Sequence, residues 1–468
     1  MGKYVLKKVL LMLPTLLVVY SILFFLKQQA PGDPVAVYRH QEEIYATKGT
    51  LQDKLSADFQ YKNTARLLGV DLPAFYFSIV PSYFPDSLYK IVRKDHRVML
   101  TSLLNHYGNW GNIEQYYQQI NLAENRYFEL NDSIKIKYKS AYWSNLQKLY
   151  VATDATQQNQ IITNIAEQVS DQAQLLENTR NLRAAYEKVI QPAQEKSWIP
   201  KVIWNGMDNQ FQFGLSKVLK FDFGNSYTDN RAVNSKILDY LKWTLLLNFL
   251  AILLIFGLAI PLGVYLSIHE SSWKEKIISS FTFGLYAMPL FWVATMLIHI
   301  FATDTYHLNF FPASGVGDPF TKGWAAFGDI LWHLILPLLC LVYHDIAYIT
   351  MQMKGAMLEV YQQDYIKLAI AKGLPKKKVI WKHAFRNALF PIITHFSALF
   401  PAMITGSIIV ENIFGIPGMG DLSVKSILNQ DWPVVSCIVF ITAILTMIGM
   451  LAADLLMAKL NPRINLNK

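Results

Sequence analysis

Residues 244–268 read TLLLNFLAILLIFGLAIPLGVYLSI, an apolar run with Asn248 as its main polar interruption. Coiled as a helix at about 1.5 Å per residue, the run covers about 37 Å, enough to cross a hydrocarbon core of about 30 Å with some tilt. Similar runs occupy residues 9–26, 277–301, 331–349, 389–410 and 434–457. The expected fold is an all-α integral membrane protein with six transmembrane helices. Composition agrees, since 52% hydrophobic and only 16% charged residues exceed what a soluble domain of 468 residues carries. The run at 331–349 departs most from the pattern, because His333, Pro337, His344 and Asp345 interrupt it.

Orientation follows from lysine and arginine in the short connections. Lys3, Lys7 and Lys8 precede the first run, Lys274 and Lys276 separate the second from the third, residues 354–386 lie between the fourth and fifth, and Lys459, Arg463 and Lys468 follow the sixth. These regions alternate onto one face, which is expected to be cytoplasmic and to hold both termini. The connections at 302–330 and 411–433 belong outside. The net charge of +9 is thereby explained by topology; nucleic-acid binding would need basic residues clustered with aromatics on a soluble face. The first run reads as a retained span, because Lys27-Gln28-Gln29-Ala30-Pro31 is a poor signal-peptide cleavage site. Cys340 and Cys437 both fall within spans, which argues for buried apolar cysteines and against a disulfide framework or a metal site.

Three regions are expected: residues 1–27 as a cytoplasmic N-terminus and first helix, 28–240 as an external region, and 241–468 as a five-helix core with a cytoplasmic loop at 351–388. Within the external region, residues 81–200 are polar, rich in Gln, Asn and Tyr, and balanced in charge. From 141 to 190, Leu146, Leu149, Tyr150, Ile161, Ile162, Ile165, Val169, Leu175, Leu176, Leu182, Tyr186 and Val189 recur at mostly three- and four-residue intervals. The spacing predicts long amphipathic helices in a hairpin or small bundle. Such an insert is either a docking surface for an external partner or a structural elaboration.

Catalytic constellations are missing. The chain has no G-x-x-x-x-G-K-[ST] loop to cradle nucleotide phosphates and no H-E-x-x-H, C-x-x-C or G-x-S-x-G. Gly415-Ile416-Pro417-Gly418-Met419-Gly420 follows a span without a βαβ unit, so it reads as a tight re-entrant or extracellular turn. His333, His344, Asp345, His395 and Asp454 are ionisable groups in or near spans, where pairing between helices is the ordinary arrangement.

Between the fourth and fifth runs lies Asp364-Tyr365-Ile366-Lys367-Leu368-Ala369-Ile370-Ala371-Lys372-Gly373-Leu374, followed by Lys376 to Lys378 and by Asn387-Ala388-Leu389 with Pro391. Its charge and helix-forming residues, with Gly373 to supply a turn, predict helix, turn, helix on the cytoplasmic face. This segment resembles the EAA loop of ABC importer permeases, in the form found in dipeptide and oligopeptide permeases of the first-subunit type. Other blocks agree in order: Ala30-Pro31-Gly32-Asp33-Pro34, Leu68-Gly69-Val70-Asp71-Leu72-Pro73, Phe221-Asp222-Phe223-Gly224-Asn225-Ser226, Glu411-Asn412-Ile413-Phe414 running on to Gly415, Gly418 and Gly420, and Asn461-Pro462-Arg463-Ile464. Lys367 stands where the acidic form of the loop has glutamate, Asn461 replaces an aspartate, and the insert at 81–200 has no counterpart in the common pattern.

The resemblance implies a permease of the bacterial inner membrane that moves peptides or related small solutes and is not itself an enzyme. It implies two ABC ATPase subunits that bind ATP and Mg, a second homologous permease subunit, and an extracytoplasmic solute-binding protein or lipoprotein; this chain would bind no cofactor and no nucleic acid. Tyr365, Ala369, Ala371, Lys372, Gly373 and Leu374 would contact the ATPase, and the insert would be periplasmic. A membrane receptor or scaffold whose external helical domain senses ligand is the alternative class.

Overall fold

The computed structural model describes residues 2–30, 32–39, 49–191, 199–304, 308–318 and 320–460. The described chain divides into two compact units, one of residues 1–23 with 223–468 and the other of residues 24–222. Helix α1 (Gly2–Gln29) carries the chain from the first unit into the second.

The second unit continues with α2 (Pro34–Arg39), α3 (Leu51–Leu68), β1 (Phe77–Pro81), α4 (Lys94–Tyr107), α5 (Trp110–Phe128), α6 (Asp132–Tyr138), α7 (Ser144–Leu149), α8 (Ala155–Gln168), α9 (Ala173–Val189), β2 (Pro200–Trp204) and α10 (Gln210–Leu219). The strands pair antiparallel, so a two-stranded ribbon brackets the predicted insert at its two ends. The predicted long helices are shorter than expected. A wide π-type turn at Lys139–Trp143 and the breaks before Ala155 and Ala173 divide 141–190 into three pieces.

The apolar spacing still does its work. Ile113, Tyr116, Ile120, Ala123 and Tyr127 form one buried stripe along α5, which packs on α9 through Leu175, Leu182 and Tyr186. Each fully buried Ile or Leu contributes about 1.5–3 kcal/mol relative to exposure. Gln158, fully buried, accepts from the Tyr116 hydroxyl and donates through Nε2 to the Leu149 and Ala152 carbonyls at 3.0 and 2.8 Å, satisfying the chain reversal between α7 and α8.

His96 on α4 stacks on Tyr150 at 3.9 Å and meets the Tyr117 hydroxyl through Nδ1 at 2.9 Å. Burial, with smaller effects from Arg93 and Lys54, pushes its pKa down to about 3 from the usual 6.5. The unfolded chain therefore binds a proton between those values that the folded chain does not. Stability from this group is complete above pH 6.5 and falls, by roughly 1 kcal/mol per pH unit, as pH drops toward 3. Protease resistance of the insert in the full chain should decline from pH 7 to pH 5 more steeply than in His96→Phe; equal slopes would remove His96 as the cause.

The first unit continues with α11 (Val233–Ile268), α12 (Trp273–Ala287), α13 (Leu290–Phe301), α14 (Gly323–Tyr361), α15 (Asp364–Ala371), α16 (Lys376–Lys378), α17 (Phe385–Thr405), α18 (Ile408–Ile413), α19 (Met419–Leu428) and α20 (Trp432–Leu460). Among the described residues, α1, α11, α14 and α20 are long and apolar enough to cross a membrane. Helices α12 and α13 together make a fifth candidate, bent by 99°.

Two predicted spans are thus corrected. Residues 277–301 are not one straight helix: the chain breaks at Met288-Pro289, where both residues are extended. Proline removes the N–H that would continue the ladder, and the residue before it is driven out of the helical region. Residues 389–410 are also interrupted, because α17 ends before Gly406 and Ser407 caps α18 by accepting from the Val410 N–H at 3.3 Å.

Pairing within this unit serves several of the polar groups on its helices. Asp454 of α20 accepts from the Tyr4 hydroxyl at 2.7 Å and lies 3.1 Å from Lys8, joining α20 to α1. Glu275 of α12, itself buried, pairs with Lys354 of α14 at 2.6 Å. Cys340 and Cys437 are buried free thiols.

Candidate functional site

Helix α15 follows α14 after only Gln362 and Gln363. Ile366 and Ala369 are buried in one apolar cluster with Met353, Met357, Val379, Ala384 and Ala388, so one face of α15 is seated on α14 and the start of α17. The other face is open. Tyr365 and Ile370 are exposed, and Leu368 is 55% exposed. An eight-residue helix is too short to hold itself together, so its form depends on the seated face and on its ends.

The C-terminal end explains the small residues. Gly373 takes φ +75°, its N–H donates to the Ile370 carbonyl at 2.9 Å, and the Leu374 N–H reaches the Ala369 carbonyl at 3.3 Å. This pair of bonds is a Schellman cap, with Leu374 turned back onto the same cluster as Ala369. Any L-residue at 373 is strained by about 1–2 kcal/mol. Asn387 of α17 donates to the Tyr365 hydroxyl at 2.7 Å and fixes the other end. Ala371 and Lys372 complete the exposed last turn, and among the described residues Lys367 pairs with Asp364 of its own helix at 3.4 Å.

The block beginning at Glu411 uses the same cap. Gly415 at φ +60° donates to Asn412 at 3.3 Å, and Ile416 donates to the Glu411 carbonyl at 2.8 Å, closing α18. The fully buried Glu411 side chain then caps α19. Its Oε2 accepts from the Gly420 N–H at 2.6 Å and the Asp421 N–H at 3.3 Å, while Oε1 accepts from the Thr244 hydroxyl at 3.0 Å. Thr244 Oγ1 in turn accepts from the Met419 N–H at 2.7 Å. Three N–H groups at the positive end of α19 are satisfied by one carboxylate and one hydroxyl. Gly406 and Gly418 face that carboxylate with no room for a Cβ, and a Cβ on Gly420 would lie 2.8 Å from Ile408 backbone atoms. The glycines make space for a buried acid.

Ser226 belongs to a second buried hub. Asp431, at the start of α20, accepts from the Ser226 hydroxyl, from the Tyr227 N–H at 2.9 Å and from the Thr228 hydroxyl at 3.1 Å, and Lys236 lies 3.8 Å away. Gly224 closes the same turn, its carbonyl accepting from the Val233 N–H at 3.0 Å. Thr228, Lys236 and Asp431 were not singled out from sequence. Asp431 before Trp432-Pro433 carried a signal nonetheless, since an acidic residue ahead of a first-turn proline marks a helix start. Thr244 carried none.

In the other unit, Gly32 precedes Asp33, which accepts from the Val35 N–H at 3.0 Å and from the Tyr61 hydroxyl, and Pro34 opens α2 as its first residue. Pro31, Pro462 and Arg463 lie outside the described residues. The α15 segment and the Glu411 and Ser226 blocks occupy separate places in the first unit, and no grouping of His, Cys, Asp or Glu suited to a metal occurs among the described residues.

These capped, glycine-lined elements coincide with family-level similarity. The family described as binding-protein-dependent transport system inner membrane component matches residues 259–466. The oligopeptide transport system permease protein AppB of Bacillus subtilis (strain 168) is 37% identical over 256 residues, 54% of this chain and 79% of the relative. The dipeptide transport system permease protein DppB of the same organism is 34% identical over 260 residues, 55% of this chain and 80% of the relative. The peptidoglycan transport system permease protein YejB of Agrobacterium fabrum (strain C58) is 33% identical over 254 residues, 53% of this chain and 70% of the relative. The chain belongs to the binding-protein-dependent transport system inner membrane component family. It is a multi-pass permease subunit of an ABC importer.

Proposed function

We infer that this permease carries peptides or related small solutes across the bacterial inner membrane, driven by two separate ABC ATPase subunits that bind ATP and Mg. A second homologous permease subunit would complete the pathway, and an extracytoplasmic solute-binding protein or lipoprotein would deliver the solute. The lysine distribution supports cytoplasmic termini and a cytoplasmic α15, with residues 81–200 on the periplasmic side. The names of the relatives support the solute class.

The observation that carries the reading is the two-faced α15. Its buried face ties it to α14 and α17, while Tyr365, Leu368 and Ile370 stand outward as apolar knobs beside Lys372. Such a helix suits a groove on a soluble partner. Closure of the ATPases around ATP would then push α15, and the packed helices above would convert that push into alternating access.

Leu368→Asp tests the contact directly. The substitution removes one exposed apolar side chain and should leave membrane insertion unchanged, while lowering ATPase co-purification by about tenfold or more, the loss of about 1.4 kcal/mol or more at an interface anchor. Undiminished co-purification together with normal ATP hydrolysis would place the contact elsewhere.

A further inference from the structure

The β1–β2 ribbon reverses the usual patterning of a surface sheet. Phe77 pairs with Trp204 and Ile79 with Val202, and side-chain alternation puts all four on one face. That face is open: Phe77 is 45% exposed, Ile79 66%, Val202 68% and Trp204 68%. The opposite face carries Ser78, Val80 and Ile203, all half-buried, and Lys201, which pairs with Asp86 at 2.7 Å. A ribbon washed by water on one side normally turns its polar residues there. Single exposed apolar residues are ordinary, but four large ones on a continuous face mark a contact.

The ribbon is also joined to a membrane span. Phe25 of α1 packs on Phe75 at 5.8 Å between ring centroids, and Phe75 packs on Phe77 at 5.4 Å. Phe24 and Phe75 both meet Phe211, at 5.2 and 5.0 Å. Phe25 lies four residues before the end of α1 at Gln29, about 6 Å of helix rise, in the turns where Lys27, Gln28 and Gln29 end the apolar run. The aromatic chain thus holds the first residue of the ribbon at the level where a span leaves the hydrocarbon, the depth at which amphipathic aromatic rings concentrate in membrane proteins.

We propose that the face formed by Phe77, Ile79, Val202 and Trp204 lies in the lipid headgroup region at the outer end of α1, so that the ribbon is a bilayer-surface anchor for the extramembrane unit. A lipid surface fits better than a protein partner on two grounds. The face continues directly from a membrane span, and it presents no charge or hydrogen-bonding side chain, apart from the Trp204 indole, by which a protein partner would be selected. Tryptophan, with an apolar body and one N–H donor, suits that depth.

The test is nitroxide accessibility in the full chain, reconstituted in a phosphatidylethanolamine–phosphatidylglycerol bilayer. Ile79→Cys and Val202→Cys report the face, and Lys201→Cys reports the opposite side; the native thiols are buried and leave labelling selective. At 79 and 202, relaxation by oxygen should exceed relaxation by a water-soluble nickel chelate, and at 201 the order should reverse. Nickel access at 79 and 202 would show a face open to water, and access by neither agent would show a face covered by protein; either result overturns the proposal. A second readout needs no label. Quenching of tryptophan emission by brominated-chain lipid should be smaller in Trp204→Ser than in the parent protein, and equal quenching would also overturn it.

Discussion

Glu411→Ala is expected to lower the stability of the permease unit by about 3 kcal/mol or more. The substitution leaves the Gly420 and Asp421 N–H groups and the Thr244 hydroxyl without their acceptor in a buried place, and each buried unsatisfied group costs about 1–3 kcal/mol. It also leaves a space that Gly406, Gly418 and Gly420 have no side chains to fill. Glu411→Gln should cost less, because its amide oxygen still serves the α19 N–H groups while its NH₂ faces Thr244. Thermal unfolding of the purified protein and its level in the membrane should rank the parent above Gln and Gln above Ala. An alanine variant as stable as the parent would remove the carboxylate from any structural role.

Gly373→Arg has the second large expected effect, and it falls on coupling. No heavy atom lies within 4 Å of a Cβ at this position, so the first carbon of a side chain meets no obstacle there. The backbone strain of about 1–2 kcal/mol is shared by any L-residue at φ +75°. Gly373→Ala therefore carries the strain alone, and Gly373→Arg adds bulk and charge to a surface proposed to meet the ATPase. Both variants should insert. Peptide-stimulated ATP hydrolysis should fall by about tenfold or more in the arginine variant and much less in the alanine variant. Equal losses would mean that the shape of the turn alone matters; normal hydrolysis in both would detach the ATPase from this turn.

Most of the spans were legible because hydropathy is a local property, and residues 244–268 read the same alone as inside α11. The breaks were less so. Pro289 and Gly406 sit in apolar runs where proline and glycine are tolerated in continuous helices as well, and Pro261 and Pro337 are indeed inside unbroken ones. At the end of α15, Gly373 was readable as a turn because a helix cap is made by neighbours in sequence. Thr244 was not readable as the partner of Glu411, 167 residues away, nor Asp431 as the partner of Ser226, 205 residues away. Such pairs exist only once the fold has brought them together. In the insert, apolar spacing identified the buried residues but not the π-type widening at Lys139–Trp143, which occurs without a proline or glycine.

Gly263 on α11 has no free volume on the side of α14: a Cβ there would lie 2.6 Å from the Met353 Cβ and 2.7 Å from the Thr350 carbonyl oxygen. Thr350 also donates to the Ala259 carbonyl at 3.4 Å, and its own side chain is fully buried. The two helices are meshed like a tooth in a notch, and sliding one along the other would drive Met353 into the α11 backbone. They must travel as a single beam, and α14, about 58 Å long at 1.5 Å per residue, ends two residues from α15. A displacement applied at the α15 end would then arrive at the far end as a tilt of both helices together.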